Sequence, residues 1–469
     1  MPPELTESCG LFGAYGVRNA ARATYFGLYA LQHRGEEAAG IAVSDGKSLR
    51  AHLGMGLVTE VFDDARLDSL KGLAAIGHVR YGTAGASELR NAQPMLVDCS
   101  RGQIAVAHNG TLVEADNVRD EFEAHGSIFH TSTDSELVVH LLARPNYVMN
   151  GEKGMKEALA TLKGAFSLLL LTPEQLIAVR DPHGFRPLVL GRFGKKGWVV
   201  TSETCALDLV KAHYVREILP GEILFIDDRG VRSERFVPPA RIRPHHCVFE
   251  QVYFSRPDSI VFADCVHEVR VRLGRTLARE CPVDADVVIS VPDSGNSAAI
   301  GYARESGIPY DRGLIRNHYV GRTFINPIPE DRVTGVDVKL NAVRSVVKGK
   351  RVIVVDDSII RGTTSRGRVR MLRRAGAREI HMRVSCPPTR YPCFYGIDFP
   401  TPGELLASKR DLDQIRNFIE LDSIGYLSLD GLLGSLTGPA GNYCTACWSG
   451  EYIVPIDKHQ GRFRDRRRK

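Results

Sequence analysis

Short apolar runs separated by glycine-rich turns dominate the first half of the chain. Residues 74–77, 103–108, 167–171, 176–179, 188–190, 197–201 and 221–226 read as strands of one or two antiparallel sheets. Apolar positions recur at three- and four-residue spacing over 20–33, 134–143 and 154–162, which predicts helices there. The pattern is that of an α+β unit running to about Val237. Residues 238–244, PPARIRP, place three prolines in seven positions and can sustain neither a helix nor a central strand, so they mark a boundary.

The second half has another rhythm. Helices are expected over 259–279, 295–305 and 363–375, and buried strands over 286–291, 351–355 and 379–386. Strand, turn, helix, strand is a parallel βαβ unit, which crosses over right-handedly in a covered sheet. Between these units lies 318–346, polar and weakly periodic, with Arg322, Arg332, Lys339 and Arg344. It reads as a long surface loop or, more sharply, as a lid.

Composition narrows the class. With 469 residues, 43% hydrophobic and 25% charged, the chain is neither disordered, collagenous nor a multi-span membrane protein. The net charge of +6 is mostly local: Gly461 to Lys469 holds six basic residues and one acid, leaving the body nearly neutral. That tail reads as a solvated terminus, and no nucleic-acid partner is expected. The richest apolar stretch, 165–179, is interrupted by Thr172, Pro173, Glu174 and Gln175, short of the roughly 18 residues a membrane span requires. Met1 to Ser8 lacks the basic and apolar regions of a secretory signal. A reducing cytoplasm is therefore expected, and the ten cysteines should be thiols or ligands rather than a disulfide framework.

Candidate chemistry concentrates first at 351–365, RVIVVDDSIIRGTTS. Four apolar residues end in Asp356 and Asp357, and Gly362, Thr363, Thr364 and Ser365 open a helix. A helix N-terminus offers unpaired N–H groups to a phosphate, the glycine lets backbone approach closely, and the hydroxyls add donors. Two carboxylates would repel phosphate, so they suit a ribose diol or a hard cation such as Mg²⁺. No lysine follows the glycine, so this is not a Walker A loop. The segment resembles the binding signature of the type I phosphoribosyltransferases, whose substrate is phosphoribosyl pyrophosphate with Mg²⁺. The resemblance places the pyrophosphate loop at 291–296, VPDSGN, with Ser294 reaching the metal beside Asp356 and Asp357.

A second set lies upstream: Cys9 in CGLFG, LQHRGEEAAG at 31–40, GHVRYGT at 77–83, HNG at 108–110 and TSTDSE at 131–136. Each is weak alone, and Asn109-Gly110 is also a strong hairpin signal. The ordered set resembles the N-terminal-nucleophile glutamine amidotransferases over most of the first 240 residues. That resemblance implies Cys9 as nucleophile with its own α-amine as base, Asn109 and Gly110 as oxyanion hole, and Arg80 and Asp134 as the partners of glutamine's α-carboxylate and α-ammonium. An α-amine has an ordinary pKa near 7.7–8.0 and can accept a proton at neutral pH. Because eight residues precede Cys9, their removal as a propeptide is expected.

Cys444-Thr-Ala-Cys447 is by itself a weak C-x-x-C signal. The chain as a whole resembles the iron–sulfur class of glutamine phosphoribosylpyrophosphate amidotransferases. There Cys247, Cys393, Cys444 and Cys447 would hold a [4Fe–4S] cluster; by ligand count alone four thiolates suit Zn²⁺ equally. Cys265, Cys281 and Cys386 read as buried thiols. The resemblance implies an αββα glutaminase sandwich over 9–237, a linker at 238–258, an α/β phosphoribosyltransferase unit at 259–450 and a basic tail at 451–469. It further implies ammonia transfer to C1 of the sugar phosphate as the first committed step of purine synthesis, feedback inhibition by purine nucleotides, and a homotetramer. Glucosamine-6-phosphate synthases and asparagine synthetases share the first half but lack the DDSIIRGTTS signature. A phosphoribosyltransferase-like regulator would have no reason to keep Cys9 with Arg80, Asn109 and Asp134.

Overall fold

The structure is a computed structural model that describes residues 9–81, 87–99, 102–144, 150–317, 340–397 and 403–456. Two antiparallel sheets stack face to face in the first half. One has seven strands in the order His213–Glu217, Val189–Phe193, Gly197–Thr201, Gly10–Tyr15, Ala74–Arg80, Ala38–Ser44, Leu49–Met55. The other has six: Gly230–Arg235, Glu222–Asp227, Leu176–Arg180, Gly164–Leu171, Gly102–Leu112, Met95–Cys99.

Strand alternation explains the layering, because successive side chains point to opposite faces. Leu169 and Leu171 meet Leu11, Ile76 and Leu224 between the sheets. Phe166, Leu168 and Leu170 point outward onto the helices Ala115–Ala124, Ser135–Leu142 and Gly151–Leu159. On the opposite side Phe12 and Ala14 pack under the helices Ala20–Ala30 and Thr204–Val210. The result is an αββα sandwich. Strands buried on both faces are apolar throughout, which is why 167–171 reads as a continuous run.

The second half is α/β. A parallel sheet runs Val287–Ser290, Arg351–Asp356, Glu379–Val384, Ser423–Tyr426. Helices Val266–Glu280 and Asn296–Ser306 cross at a reciprocal glycine contact. A Cβ on Gly274 would lie 1.9 Å from the Ala298 carbonyl oxygen, and one on Gly301 2.0 Å from that of Val271.

Three expectations are corrected. The helix expected from 259 starts at Val266, because Ile260–Val261 and Asp264–Cys265 form a tight hairpin turned at Phe262 and Ala263, both with positive φ. Neither residue is a usual type I′ turn former, so the pattern concealed it. Asn109-Gly110 is no hairpin turn: both residues lie inside the strand Gly102–Leu112, opposite Ser167 and Phe166. Cys265 and Cys281 are only half-buried, whereas Cys386 is fully buried. Arg322, Arg332 and Lys339 of the expected lid lie outside the described residues; Arg344 opens the short helix Arg344–Val347.

Candidate active sites

The first site sits at one end of the sandwich. Cys9 immediately precedes the strand Gly10–Tyr15, half-buried, its thiol donating to the Tyr81 carbonyl at 3.8 Å. Burial pushes this thiol up, opposed by that hydrogen bond and by the nearby Arg80. A thiol so placed needs a base to become a nucleophile. Asn109 is buried, and its side-chain nitrogen has no hydrogen-bond partner among the described residues. An unpaired buried donor is costly unless a ligand uses it. Gly110, next to it, adopts φ +144, and a Cβ there would stand 2.0 Å from the Ala165 carbonyl oxygen, so only glycine fits.

Arg80 and Asp134 are both buried and both already engaged. Arg80 pairs with Glu37 across neighbouring strand ends. Asp134, at the start of the helix Ser135–Leu142, accepts the Leu112 N–H at 2.7 Å and stands 3.9 Å from His108 Nδ1. Beneath them His108 bonds Ser135 Oγ at 3.0 Å, and its carbonyl meets His78 Nε2 at 3.1 Å. Burial holds His78 at about 3 and also lowers His108, so both rings are neutral at pH 7.

Sequence reasoning missed the ionic network behind Cys9. Arg34 is fully buried, donates from Nε to the Cys9 carbonyl at 3.1 Å, and forks onto Glu250 at 2.7 and 3.0 Å and onto Glu203 at 2.5 Å. Arg186, also fully buried, reaches Glu250 at 3.0 Å. Glu203 accepts from the Arg256 N–H and Ser259 Oγ at 2.9 and 2.8 Å, so the network ties the sandwich to the connecting segment. The available signal was a charged residue inside an apolar run, Glu250 in CVFEQVYF.

The second site forms where two parallel strands end. Asp356 and Asp357 close the strand Arg351–Asp356, and Ser294 follows Val287–Ser290. Ser294 Oγ donates to Asp357 Oδ1 at 2.5 Å, bringing the two loops together as the resemblance implies. Asp356 is braced by Arg368 at 2.8 Å and accepts the Asp357 N–H, while Asp357 also accepts from Ser358. Gly362 takes φ +77 just before the helix Thr363–Arg374, a left-handed residue at the helix start that has no side-chain cap. Ser365 Oγ is buried with no partner among the described residues.

The four cysteines converge as well. His246–Cys247 pairs in parallel with Tyr443–Cys444, and Cys247, Cys393, Cys444 and Cys447 all lie within one another's electrostatic range. The Tyr395 N–H donates to Cys393 Sγ at 3.3 Å. Burial pushes Cys247 up to about 12 despite the nearby Arg186. Among the described residues no three His, Cys, Asp or Glu groups stand close enough to share a single metal ion.

Known proteins are similar to this chain in sequence and fold. The glutamine amidotransferase domain family matches residues 82–209. The amidophosphoribosyltransferase of Bacillus subtilis is 50% identical over 457 residues, covering 96% of this chain and 95% of its own length. The chain belongs to the amidophosphoribosyltransferase family. Amidophosphoribosyltransferase 1 of Arabidopsis thaliana, chloroplastic, is 50% identical over 453 residues, 96% of this chain and 79% of its own. A solved structure of glutamine phosphoribosylpyrophosphate amidotransferase from B. subtilis, complexed with ADP and GMP, superposes with a TM-score of 0.90. It is 48% identical and covers 97% of this chain and 99% of the other. A structure described as the allosteric regulatory enzyme of purine biosynthesis gives 0.91 at 49% identity, covering 96% and 97%. Amidophosphoribosyltransferase activity, glutamine-dependent and serving purine synthesis, is therefore the activity of this chain. No helix among the described residues is long and apolar enough to cross a membrane.

Proposed function

We propose that glutamine is hydrolysed at Cys9 and that its ammonia displaces pyrophosphate from C1 of phosphoribosyl pyrophosphate at the 291–296 and 356–365 loops, giving 5-phosphoribosylamine. The observation that carries this reading is that each site holds a buried donor with no partner among the described residues, Asn109 Nδ2 beside Gly110 and Ser365 Oγ in the first turn of the helix that follows Gly362. Removal of residues 1–8 frees the Cys9 amine, which takes the thiol proton as the sulfur attacks the carboxamide carbon. Asn109 and Gly110 receive the oxyanion charge, Arg80 exchanges Glu37 for the glutamine α-carboxylate, and Asp134 takes the α-ammonium. Ammonia must then travel without meeting bulk water, where it would protonate and lose its lone pair.

At the second site Thr363, Thr364, Ser365 and the N–H groups after Gly362 hold the 5-phosphate. Asp356, fixed by Arg368, faces the ribose. Mg²⁺ fits the oxygen-rich junction of Ser294, Asp357 and Asp356, and when bound it supplies positive charge to the departing pyrophosphate. Arg332 and Lys339, which lie outside the described residues, and Arg344 would supply the positive charge for the pyrophosphate. We adopt the division at 9–237, 238–258 and 259–450; the basic tail expected over 451–469 is corrected at its start, because Val454 is buried beside Phe185 and bonded to Tyr395, and residues 457–469 lie outside the described residues.

For the cysteines, we read Cys247, Cys393, Cys444 and Cys447 as ligands of a [4Fe–4S] cluster, with zinc the alternative that metal analysis decides. The support for this reading is that the Cys247 and Cys444 strands pair directly and that all four thiols act electrostatically on one another, beside the buried Arg186. Its role is structural, since no second redox group accompanies it among the described residues. Purine nucleotides as inhibitors, in line with the ADP and GMP of the B. subtilis structure, a homotetrameric assembly and a cytoplasmic location complete the reading. The deciding assay is pyrophosphate release from phosphoribosyl pyrophosphate, which must require glutamine or ammonia and Mg²⁺. Release that is independent of both nitrogen sources would overturn it. Active enzyme retaining Met1 would refute propeptide removal.

A further inference from the structure

Arg186 is fully buried, and two of its donors, Nε and Nη2, have no hydrogen-bond partner among the described residues. Its charge is met by Glu250 through Nη1, but buried donors left without acceptors are costly unless a bound group completes them. Its backbone is fixed: the Arg186 carbonyl accepts from Arg180 Nε at 2.9 Å, and the Phe185 carbonyl accepts the Cys247 N–H at 3.0 Å. The Phe185 ring stacks on Tyr395 at 4.4 Å. Arg186 Nη2 lies 2.9 Å from where a Cβ on Gly396 would stand, three residues beyond Cys393, and its charge acts on Cys247 and Cys393. Nη2 therefore lies against the turn that follows Cys393, where the Gly110 backbone also meets Gly396, and Phe185 next to Arg186 is bonded to Cys247.

The third donor turns the other way. Arg186 Nη1 holds Glu250 Oε1 at 3.0 Å, Arg34 Nη2 holds the same oxygen at 2.7 Å, and Arg34 Nε holds the Cys9 carbonyl at 3.1 Å. All three side chains are fully buried, so solvent does not screen the chain of charges.

We propose that Arg186 is a positioning residue that couples the cysteine-bound group to the glutaminase nucleophile: its free donors answer the group's negative charge, and its pairing with Glu250 sets Arg34 against the Cys9 carbonyl. This rests on the cluster reading above. Arginine suits the post because its rigid fork serves two partners at once, whereas a lysine carries the charge to one.

The test compares anaerobically purified wild type, Arg186→Lys and Arg186→Gln by iron and acid-labile sulfide per chain, midpoint potential, and kcat and KM for glutamine hydrolysis. Removing a positive charge disfavours the reduced, more negative cluster. Arg186→Gln should therefore shift the reduction equilibrium at least tenfold toward the oxidised form, 59 mV for one electron. It should also lower kcat for glutamine about tenfold with KM little changed. Arg186→Lys should keep the potential but lose kcat, and it stays decisive should Arg186→Gln fail to fold. A wild-type potential in Arg186→Gln, or a wild-type kcat in Arg186→Lys, overturns the proposal. Wild type purified without iron and sulfide overturns the cluster reading itself, a result distinct from a loaded wild type whose variants do not differ from it.

Discussion

Replacing Gly301 with alanine should separate the two activities. The added Cβ would stand 2.0 Å from the Val271 carbonyl oxygen, on backbone that cannot swing aside like a side chain. Contacts under 3.0 Å essentially do not occur, so helix Asn296–Ser306 must retreat from Val266–Glu280 by about 1 Å. That helix carries the 291–296 loop at its N-terminus. Its Ser294–Asp357 hydrogen bond, now 2.5 Å, would approach the limit of hydrogen bonding. Overpacking costs about 1–3 kcal/mol of stability, and a misplacement of about 1 Å in positioning groups costs roughly 10²-fold in rate. The assay is ammonia-driven pyrophosphate release beside glutamine hydrolysis measured without sugar phosphate. Gly301→Ala should lose about two orders of magnitude in the first and little in the second, while remaining folded by circular dichroism. Ammonia-driven kcat/KM within threefold of wild type, or an equal fall in both activities, would refute the reasoning.

Further outcomes are expected. Cys9→Ser should abolish glutamine hydrolysis yet keep ammonia-driven synthesis, measured by parallel glutamate and pyrophosphate assays. Asn109→Ala should cut glutaminase kcat by about 10²–10³ through loss of an oxyanion donor, with a smaller change in KM in steady-state kinetics. Acid should destabilise the fold: His78 binds a proton at about 3 in the folded chain but near 6.5 unfolded, so the unfolded state holds more protons between those values. Stability then falls as pH drops through that window. Asp181, raised to about 6 by burial, acts in the opposite sense between about 4 and 6 and partly offsets it. Urea midpoints from pH 7 to 5 should decline, and less steeply in His78→Asn.

Local chemistry was legible along the chain because both sites use contiguous segments. A strand ending in Asp356-Asp357 and a helix opening at Gly362 lie within a dozen residues, so their meaning survives without tertiary information. The strands Leu49–Met55 and His213–Glu217 were not recognised, since each is half-exposed and its polar residues dilute the alternation. The buried network was beyond reach for a different reason. Arg34, Arg186, Glu203 and Glu250 are far apart in sequence; Glu250 alone carries a signal, as a charge inside an apolar run, and the other three read as ordinary surface charges until the fold removes water from all four. Arg80 and Asp356 illustrate a further limit: the residue type suggested a ligand, while the structure supplies each with an internal partner that no motif announces.

The short parallel pairing of His246–Cys247 with Tyr443–Cys444 has a topological consequence. The polypeptide enters and leaves the second unit at one point, so that unit is a closed ring of roughly 200 residues. Any group gripped by both Cys247 and Cys444 acts as a rivet, and on chain-entropy grounds closing a ring of that size is worth about 5 kcal/mol. A group held there would lie beside Phe185 and Arg186, on the sandwich itself. Losing such a group would loosen both ends of that segment and its seat on the sandwich together.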